Sequence, residues 1–296
     1  MTSVRTVILF NPKAGGADAL TDTDVFEPLR AQGHVVALVP GRWPGDLTER
    51  AARAVRDGVD LVVAAGGDGT LNEVLNGVAR VRGGLSRVAL GLLPLGTGND
   101  FARTLDLPSE LPAAIGRLAE GRVRRLDAAH LNRRLFINAS GGGFTAETSA
   151  RVSGRLKALV GRVAYLVGGA QALLEHAPVL TEIRLDDVHQ TLPLQLFAVC
   201  NGRTLGGGHT LAPEAEPDDG WLDVCLVHGT STLDLVTLLP KLSSGAHVDD
   251  AQVLYTRARR VSLRFAVPTT VNADGEVIVT SRCVYEVLPG AVRFVC

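Results

Sequence analysis

Four uninterrupted apolar runs recur at regular intervals along the first 125 residues of the chain. They are Val7–Phe10, Val35–Val39, Leu61–Ala65 and Val88–Leu93. Runs of β-branched residues and leucine without polar alternation are typical of parallel strands that are buried on both faces. The pattern therefore predicts a parallel sheet in this part of the chain.

A helical pattern lies between the last two of these runs. Leu71, Val74, Leu75 and Val78 follow the spacing i, i+3, i+4, i+7, which places them on one face of a helix. Strands and helices that alternate in this way form an α/β domain with right-handed crossovers. We expect this α/β domain to occupy residues 1–127.

The pattern changes after about residue 126, where short apolar stretches alternate with clusters of Gly, Pro and Asp. These stretches are Leu135–Ala139, Leu194–Cys200, Leu222–Val227, Val261–Phe265 and Cys283–Leu288. Their rhythm predicts a β-sandwich over residues 128–285, interrupted by one helix at about Ala158–Glu175. Since no low-complexity linker separates the two predicted domains, the cleft between them is the expected site.

The composition narrows the classes of partner. A chain of 296 residues corresponds to about two domains. Thirty Lys and Arg residues against 31 Asp and Glu residues give a net charge of −1, which disfavours nucleic acid as a partner. None of the three lysines follows a glycine, which excludes a P-loop.

The sequence also predicts where the protein is located. The apolar runs are too short for a signal peptide or a membrane span, and the cysteines lack disulfide or zinc spacing, so we expect a cytoplasmic protein.

Three loops in the α/β part share one design, in which a strand is followed by a glycine-containing turn and then a helix. They span Asn11–Gly16, Gly66–Thr70 and Gly96–Asp100. Glycines let backbone N–H groups approach phosphates, and the N-terminus of the next helix favours negative charge. Three such turns at the carboxyl ends of parallel strands predict a nucleotide site.

Each of these loops also has a purely structural explanation. Thr70 and Glu73 match a capping box, and Asn99 and Asp100 are good caps for a helix that begins near residue 101. Asp68 is different, because a carboxylate at a phosphate-binding turn repels phosphate unless Mg²⁺ intervenes. Its presence favours a complex of nucleotide and metal. The segment Gly141–Ala146 matches a dinucleotide fingerprint, but it lies in the β half without a βαβ frame, which disfavours a dehydrogenase.

An ordered set of motifs resembles the diacylglycerol-kinase catalytic domain, and more closely the soluble bacterial lipid kinases of that family. The motifs begin with the three loops above, continued as Gly66–Glu73 and Pro94–Ala102. They extend through Gly141–Phe144, Asn201–Gly202, Gly206–Gly208, Ala212–Pro213 and Asp219–Val224 to Asp274–Glu276. The Gly-Gly-Asp-Gly-Thr element alone is shared with NAD kinases and phosphofructokinase-like enzymes. The ordered set covers nearly the whole chain and is more specific.

The resemblance implies an ATP- and Mg²⁺-dependent kinase that phosphorylates a lipid hydroxyl, with diacylglycerol as the first expectation. It implies an NAD-kinase/phosphofructokinase-like α/β domain followed by a β-sandwich, with the last strand, residues 286–296, returning to the first domain. The residues expected to bind the nucleotide and its metal are Asn11, Gly66, Gly67, Asp68, Gly69, Thr70, Leu71, Asn72, Glu73, Thr97, Gly98 and Asn99. Asp68 is also expected to be catalytic.

The chain departs from the family pattern in three places. Ala14 replaces a usual serine or threonine, residues 40–46 lack a threonine that commonly touches the nucleotide, and Thr145 replaces an acidic or small residue. Two other functions stay open: an NAD kinase-like enzyme, and a non-catalytic regulator that binds lipid or nucleotide. The Asp274–Glu276 motif disfavours the first, and retention of Asp68 and Glu276 disfavours the second.

The turn before Leu222 has two interpretations. From the residues alone, Asp218-Asp219-Gly220 is a turn that needs no metal, and this explanation is favoured. The resemblance instead implies a structural Mg²⁺ held by the Asp219 carboxylate and the carbonyls of Glu216 and Trp221. Backbone carbonyls remain ligands whatever the side chain, so these residues do not forbid the site.

Glu276 is the expected general base. Thr270–Val279 predicts a β-hairpin with Asp274-Gly275 as its turn, where most glutamates are merely solvated. A lipid hydroxyl, however, needs a carboxylate to orient it and accept its proton. The resembling family places its proton acceptor at this glutamate, with Asp274 as turn former.

A lipid substrate requires access to a membrane surface. The segment Leu156–Leu174 is rich in Leu, Val and Ala with interspersed Lys157 and Arg162, so it suits an interfacial helix. Packing against the sandwich explains the same pattern equally well. A homodimer also stays open.

Overall fold

The first part of the chain forms a four-stranded parallel sheet in the computed structural model, which describes residues 3–145, 177–229, 237–238 and 240–296. Its strands are β1 (Val4–Phe10), β2 (His34–Pro40), β3 (Leu61–Gly66) and β4 (Ala89–Pro94), arranged in the order β4-β3-β1-β2. The predicted helix Ala158–Glu175, and with it Leu156–Leu174, lies outside the described residues.

Helices cover both faces of this sheet. They are α1 (Glu27–Ala31), α2 (Asp46–Arg56), α3 (Asp68–Ala79), α4 (Gly84–Arg87), α5 (Asp100–Thr104) and α6 (Leu111–Glu120). Successive strand residues point to opposite faces, so Val62 and Ala64 pack with α2 and α3, whereas Leu61 and Val63 pack on the side of α1 and α6. This is the predicted α/β arrangement, and α3 contains the predicted helical pattern.

The edge strand β2 differs from the sequence prediction. Its continuous apolar run predicts burial on both faces, but Val35 is 61% exposed and no residue of β2 is fully buried. The reason is position, since β2 pairs only with β1 in the sheet that the structure describes. An apolar run predicts a strand correctly here, but not its burial.

The second part of the chain is β-rich. Its strands are β5 (Val123–Leu131), β6 (Arg134–Phe136), β7 (Ala139–Thr145), β8 (Val179–Leu185), β9 (Val188–Cys200), β10 (Thr204–Leu205), β11 (His209–Thr210), β12 (Leu222–His228), β13 (Val253–Ala258), β14 (Arg260–Ala273) and β15 (Glu276–Val295). One apolar cluster from β5, β6, β8, β9, β12, β13, β14 and β15 forms the sandwich core, including Phe136, Phe197 and Tyr285. Short 3-10 helices lie at Pro240–Ser243 and Ala246–Asp249. The predicted fold class, an α/β part followed by a β-sandwich, is confirmed.

The long strand β15 connects the two parts. Most of it is antiparallel to β14, but near its end Arg293 and Phe294 pair in parallel with Ala89 and Leu90 of β4. The hydrogen-bonded sheet therefore runs continuously in the order β13-β12-β9-β7-β14-β15-β4-β3-β1-β2. A boundary between residues 127 and 128 remains a prediction. Among the helices that the structure describes, none is long and apolar enough to cross a membrane.

Candidate active site

Two of the predicted glycine loops pack directly against each other at the carboxyl ends of β3 and β4. A Cβ atom at Gly96 would overlap the backbone of Gly67, and one at Gly67 would lie 3.3 Å from the Gly96 Cα. A Cβ at Gly66 would overlap the Thr70 side chain. Gly67 and Gly96 are therefore required for the approach of the two loops, and Gly66 is required for the close approach of Thr70 to its own loop.

Asn99 shapes its own loop. It adopts a left-handed conformation with φ of 52°, and its side-chain Oδ1 accepts a hydrogen bond from the Gly96 N–H at 3.0 Å. Its Nδ2 donates to the carbonyls of Pro94 and Gly96, at 3.1 and 2.8 Å. The side chain is thus engaged within the loop and positions the Gly96–Gly98 backbone, whereas its predicted nucleotide contact remains a prediction.

The predicted capping hydrogen bonds of α3 and α5 do not form, although Asn99 occupies the N-cap position of α5. Helix α3 begins at Asp68 and no side chain caps it, so Thr70 and Glu73 lie inside the helix and do not form a capping box. Helix α5 is capped from the other loop, because the Asp68 carboxylate accepts the N–H groups of Asp100 and Phe101 at 3.1 and 3.0 Å. Asp68 thus ties the two glycine loops together.

Asp100 is a candidate site residue whose contacts go beyond the helix cap that the sequence pattern predicts. Its carboxylate accepts the backbone N–H groups of Gly207 and Gly208, at 2.8 to 3.0 Å, and so joins α5 to the sandwich. A Cβ atom at Gly98 would lie 3.3 Å from Asp68 Oδ2 and 3.4 Å from Asp100 Oδ2, so both carboxylates face this glycine. Burial, assisted by the charge of Asp100, raises the pKa of Asp68.

The other predicted nucleotide residues lie in different surroundings. The Leu71 side chain is fully buried in the core and is not available to a nucleotide, and Asn11 Oδ1 accepts the Lys13 N–H at 3.0 Å. Glu73 Oε2 is buried and has no hydrogen-bond partner within the described ranges. A buried unpartnered oxygen is unfavourable unless a ligand supplies a donor, which keeps Glu73 a candidate for nucleotide binding.

Asp274 is buried at the junction of the two parts. It has a φ of 45° at the hairpin turn, as predicted for a turn former, and its carboxylate accepts the N–H groups of Ile137, Asn138 and Ala139 at 2.7 to 3.1 Å. These bonds explain why the predicted strand Leu135–Ala139 is broken into β6 and β7. Burial raises the pKa of Asp274 to about 6.

Asn72 joins α3 to this junction. Its Nδ2 donates to Asp274 Oδ2 at 3.1 Å and to the Leu135 carbonyl at 3.0 Å, and the residue is 1% exposed. The side chain predicted to bind nucleotide is therefore engaged in holding the α/β part against the sandwich.

Glu276 begins β15, immediately after the hairpin turn. Its side chain is 46% exposed, and its Oε1 lies 3.2 Å from Arg134 Nη2. The same guanidinium nitrogen donates to Asn72 Oδ1 at 3.1 Å. The predicted base therefore stands beside the junction, with a cation as its partner.

A cavity of about 710 Å³ lies between the glycine loops and the sandwich. Three carboxylates line it: Asp68, Asp100 and Asp274. Its other walls are mainly apolar, formed by Leu196, Phe197, Ala198, Leu205, Leu211, Cys225, Val227, Leu238 and Leu242. Two lining residues, Asn138 and Thr270, have a buried side-chain oxygen without a hydrogen-bond partner in the part of the chain described. Such a pocket suits an apolar molecule with a few polar groups.

The glycine run of β7 serves close strand packing. Added Cβ atoms at Gly142 and Gly143 would overlap the carbonyl oxygens of Thr270 and Gln195 on the neighbouring strands. Since β7 is an inner strand between β9 and β14, the fingerprint match at Gly141 does not open a βαβ unit.

The predicted metal turn is held by hydrogen bonds and an ion pair. Asp219 Oδ1 accepts the Trp221 N–H at 2.9 Å, and its Oδ2 lies 3.6 Å from Arg257 Nη1. Asp127 accepts the Gly220 N–H at 2.7 Å. A carboxylate beside backbone carbonyls fits Mg²⁺ in donor type, but Arg257 competes for that carboxylate. No cluster of three or more His, Cys, Asp or Glu residues suited to a metal occurs within residues 3–145, 177–229, 237–238 and 240–296.

Two family models match consecutive parts of the chain. Residues 5–131 match the diacylglycerol kinase catalytic domain, and residues 140–296 match the YegS C-terminal NAD kinase beta sandwich-like domain.

Named relatives extend over nearly the whole chain. A diacylglycerol kinase of Staphylococcus saprophyticus is 34% identical over 92% of this chain and 88% of its own length. One of Bacillus subtilis is 32% identical over 92% and 89%. A crystal structure of a diacylglycerol kinase from Bacillus anthracis matches with a TM-score of 0.81 at 27% identity, covering 100% of this chain and 98% of the other. The chain therefore belongs to the diacylglycerol kinase family and is a kinase.

Proposed function

We propose that the protein transfers the γ-phosphoryl group of Mg·ATP to the hydroxyl group of a lipid, with diacylglycerol as the leading substrate. The observation that carries this proposal is the cavity, which joins the carboxylates of the two glycine loops to apolar walls in the sandwich. A phosphoryl donor and an apolar acceptor thus have adjoining places in one site.

ATP binds where the glycine loops meet. The N-terminus of α3 follows Gly67, and no side chain from the N-cap position covers it. Backbone donors at a helix start favour phosphate through their orientation and the helix dipole. Thr97 and Gly98 lie on the facing loop, so the triphosphate is placed between both turns.

Asp68 and Asp100 are the residues that would hold Mg²⁺. Their Oδ2 atoms face the same glycine, and the charge of Asp100 contributes to the raised pKa of Asp68, so a cation between them offsets repulsion. Hard carboxylate oxygens are the ligands that Mg²⁺ prefers. When bound, the metal neutralises charge on the phosphate oxygens.

Glu276 accepts the proton of the lipid hydroxyl. The hydroxyl oxygen forms a bond to the γ-phosphorus while the bond to the β–γ bridging oxygen breaks, and that electron pair leaves with ADP. The proton moves to the Glu276 carboxylate, which is on the hairpin next to Gly275 at the cavity. A positioned base of this kind contributes about 10²–10⁴-fold to the rate.

The lipid occupies the apolar cavity from a peripheral position at a membrane surface. The cavity volume lies within the ~300–1,000 Å³ typical of small-molecule sites. Each methylene group buried there contributes about 0.8 kcal/mol, which favours an acyl chain over a polar nucleoside. The unpartnered oxygens of Asn138 and Thr270 offer contacts for the polar linkage of the lipid.

The test is ATP consumption with a panel of acceptors: diacylglycerol, phosphatidylglycerol, a sphingoid base and NAD. We expect turnover with a lipid, diacylglycerol first, and loss of that turnover in Glu276→Gln. Turnover with NAD alone would replace the proposal with an NAD kinase. ATP and lipid binding without turnover on any acceptor would identify a regulator instead.

A further inference from the structure

Arg134 occupies a bridging position between the two halves of the candidate site. Its Nη2 atom lies 3.1 Å from Asn72 Oδ1 on α3 and 3.2 Å from Glu276 Oε1 on the hairpin. Asn72 is one helical turn after Asp68 on α3, so Arg134 connects the helix that follows the glycine loop to the proposed base. Nothing in the sequence pattern distinguishes Arg134 from its neighbour Arg133.

The strand that carries Arg134 is fixed on α3. The Leu135 N–H donates to Asn76 Oδ1 at 3.1 Å, and the Leu135 carbonyl accepts from the amides of Asn72 and Asn76 at 3.0 Å. Two residues further along the chain, the Ile137 N–H donates a hydrogen bond to the Asp274 carboxylate. The backbone that follows Arg134 therefore has a fixed position relative to α3 and the hairpin.

The Glu276 side chain, in contrast, is not held in place by burial. It is 46% exposed, and an unrestrained glutamate in this setting samples several rotamers. An exposed ion pair contributes little to the stability of a fold, so stability is a poor explanation for this contact. Its consequence is geometric, because the guanidinium restricts where the carboxylate oxygen lies.

We propose that Arg134 is a positioning residue that orients the Glu276 carboxylate toward the acceptor hydroxyl and aligns it with the α3 loop. The inference rests on the proposed function, in which Glu276 is the base. Arg134 acts through Glu276 and does not itself touch the reacting atoms.

The test is a double-mutant cycle on kcat with Arg134→Gln, Glu276→Gln and the combined variant. A small misplacement of a catalytic group costs up to about 10²-fold, so we expect Arg134→Gln to lower kcat by about 10–100-fold with KM for ATP and lipid little changed. In the Glu276→Gln background the same change has no further effect, because its target is gone. Arg134→Lys, which keeps the charge, recovers part of the lost kcat.

The control is Arg133→Gln, which removes the same charge from an adjacent exposed residue and leaves kcat unchanged. Equal kcat values for Arg134→Gln and the wild type, losses that simply add in the double variant, or a rise in KM alone would each overturn the inference. If Arg134→Gln unfolds in a thermal scan, the same cycle with Arg134→Lys decides between these outcomes. A fully active Glu276→Gln instead refutes the proposed base, which separates the two failures.

Discussion

The buried carboxylate of Asp274 makes the stability of this protein depend on pH in a predictable direction. Burial raises its pKa from 3.8 to about 6. A raised pKa means that the folded state binds the proton more tightly than the unfolded state does. The stabilising contribution of this proton is therefore complete below about pH 3.8 and is lost as the pH rises through about 6.

The size of the effect follows from the two pKa values. Between pH 5 and pH 7 the folded state loses most of this proton, whereas the unfolded state is already ionised at both. The linkage relation then gives a stability at pH 5 that exceeds the stability at pH 7 by about 1 kcal/mol from this group alone. The whole change in pKa, from 3.8 in the unfolded state to about 6 in the folded state, corresponds to about 3 kcal/mol of stability.

Asp274→Asn isolates this contribution. The variant keeps an acceptor oxygen and tolerates the positive φ, but it does not titrate. We expect the difference in unfolding free energy between wild type and variant to shift by about 1 kcal/mol in favour of the wild type on going from pH 7 to pH 5. Urea titrations followed by circular dichroism at both pH values measure it, since all other titrating groups cancel in the difference.

If the difference in unfolding free energy between wild type and Asp274→Asn is the same at pH 5 and pH 7, burial does not raise the pKa of Asp274. An unchanged difference would mean that the four hydrogen-bond donors on Asp274 offset its burial, because a pKa at or below 3.8 leaves the carboxylate ionised in both states at pH 5 and at pH 7. The m-values of both proteins should agree, because a changed m-value signals a different unfolded or intermediate state.

Three further changes test separate parts of the account. Gly96→Ala places a Cβ against the Gly67 backbone and should lower the free energy of unfolding by about 1–3 kcal/mol in urea titrations. The control is Gly116→Ala, whose added Cβ meets no atom within 4 Å and should leave stability unchanged or raise it. Equal changes in stability for the two variants would contradict the close approach of the loops. Ala198→Phe fills the apolar cavity and should raise KM for a long-chain lipid at least tenfold with KM for ATP unchanged, and an unaltered lipid KM would exclude this cavity as the lipid site. Mg²⁺ should raise the Tm of the wild type more than that of Asp219→Ala, and equal shifts would leave the turn without a metal.

Local patterns predicted the elements of this fold because each strand or helix is a short-range property of the sequence. The strands of the α/β part, helix α3 and the Asp274-Gly275 hairpin all follow from apolar periodicity and turn chemistry. The exposure of β2 was not predictable in this way, since it depends on the order of strands in the sheet. The break at Ile137 depends on a carboxylate more than 130 residues away.

The site was predictable to the extent that its residues lie in sequence motifs. The glycine loops and Glu276 could be named from the sequence and the family resemblance. The sequence did not predict that Asp68 and Asp100 connect separate loops, because their hydrogen-bond partners belong to other loops. Asn72 and Arg134 show the same limit, since only the packing of α3 on β6 brings them to Asp274 and Glu276.

The most direct test of the proposed function is transfer of ³²P from [γ-³²P]ATP to diacylglycerol in mixed micelles, with Mg²⁺ or with EDTA. The account predicts labelled phosphatidic acid from the wild type only when Mg²⁺ is present, and about 10²–10⁴-fold less from a folded Glu276→Gln. Labelling of NAD but of no lipid, or full lipid labelling by Glu276→Gln, would contradict it.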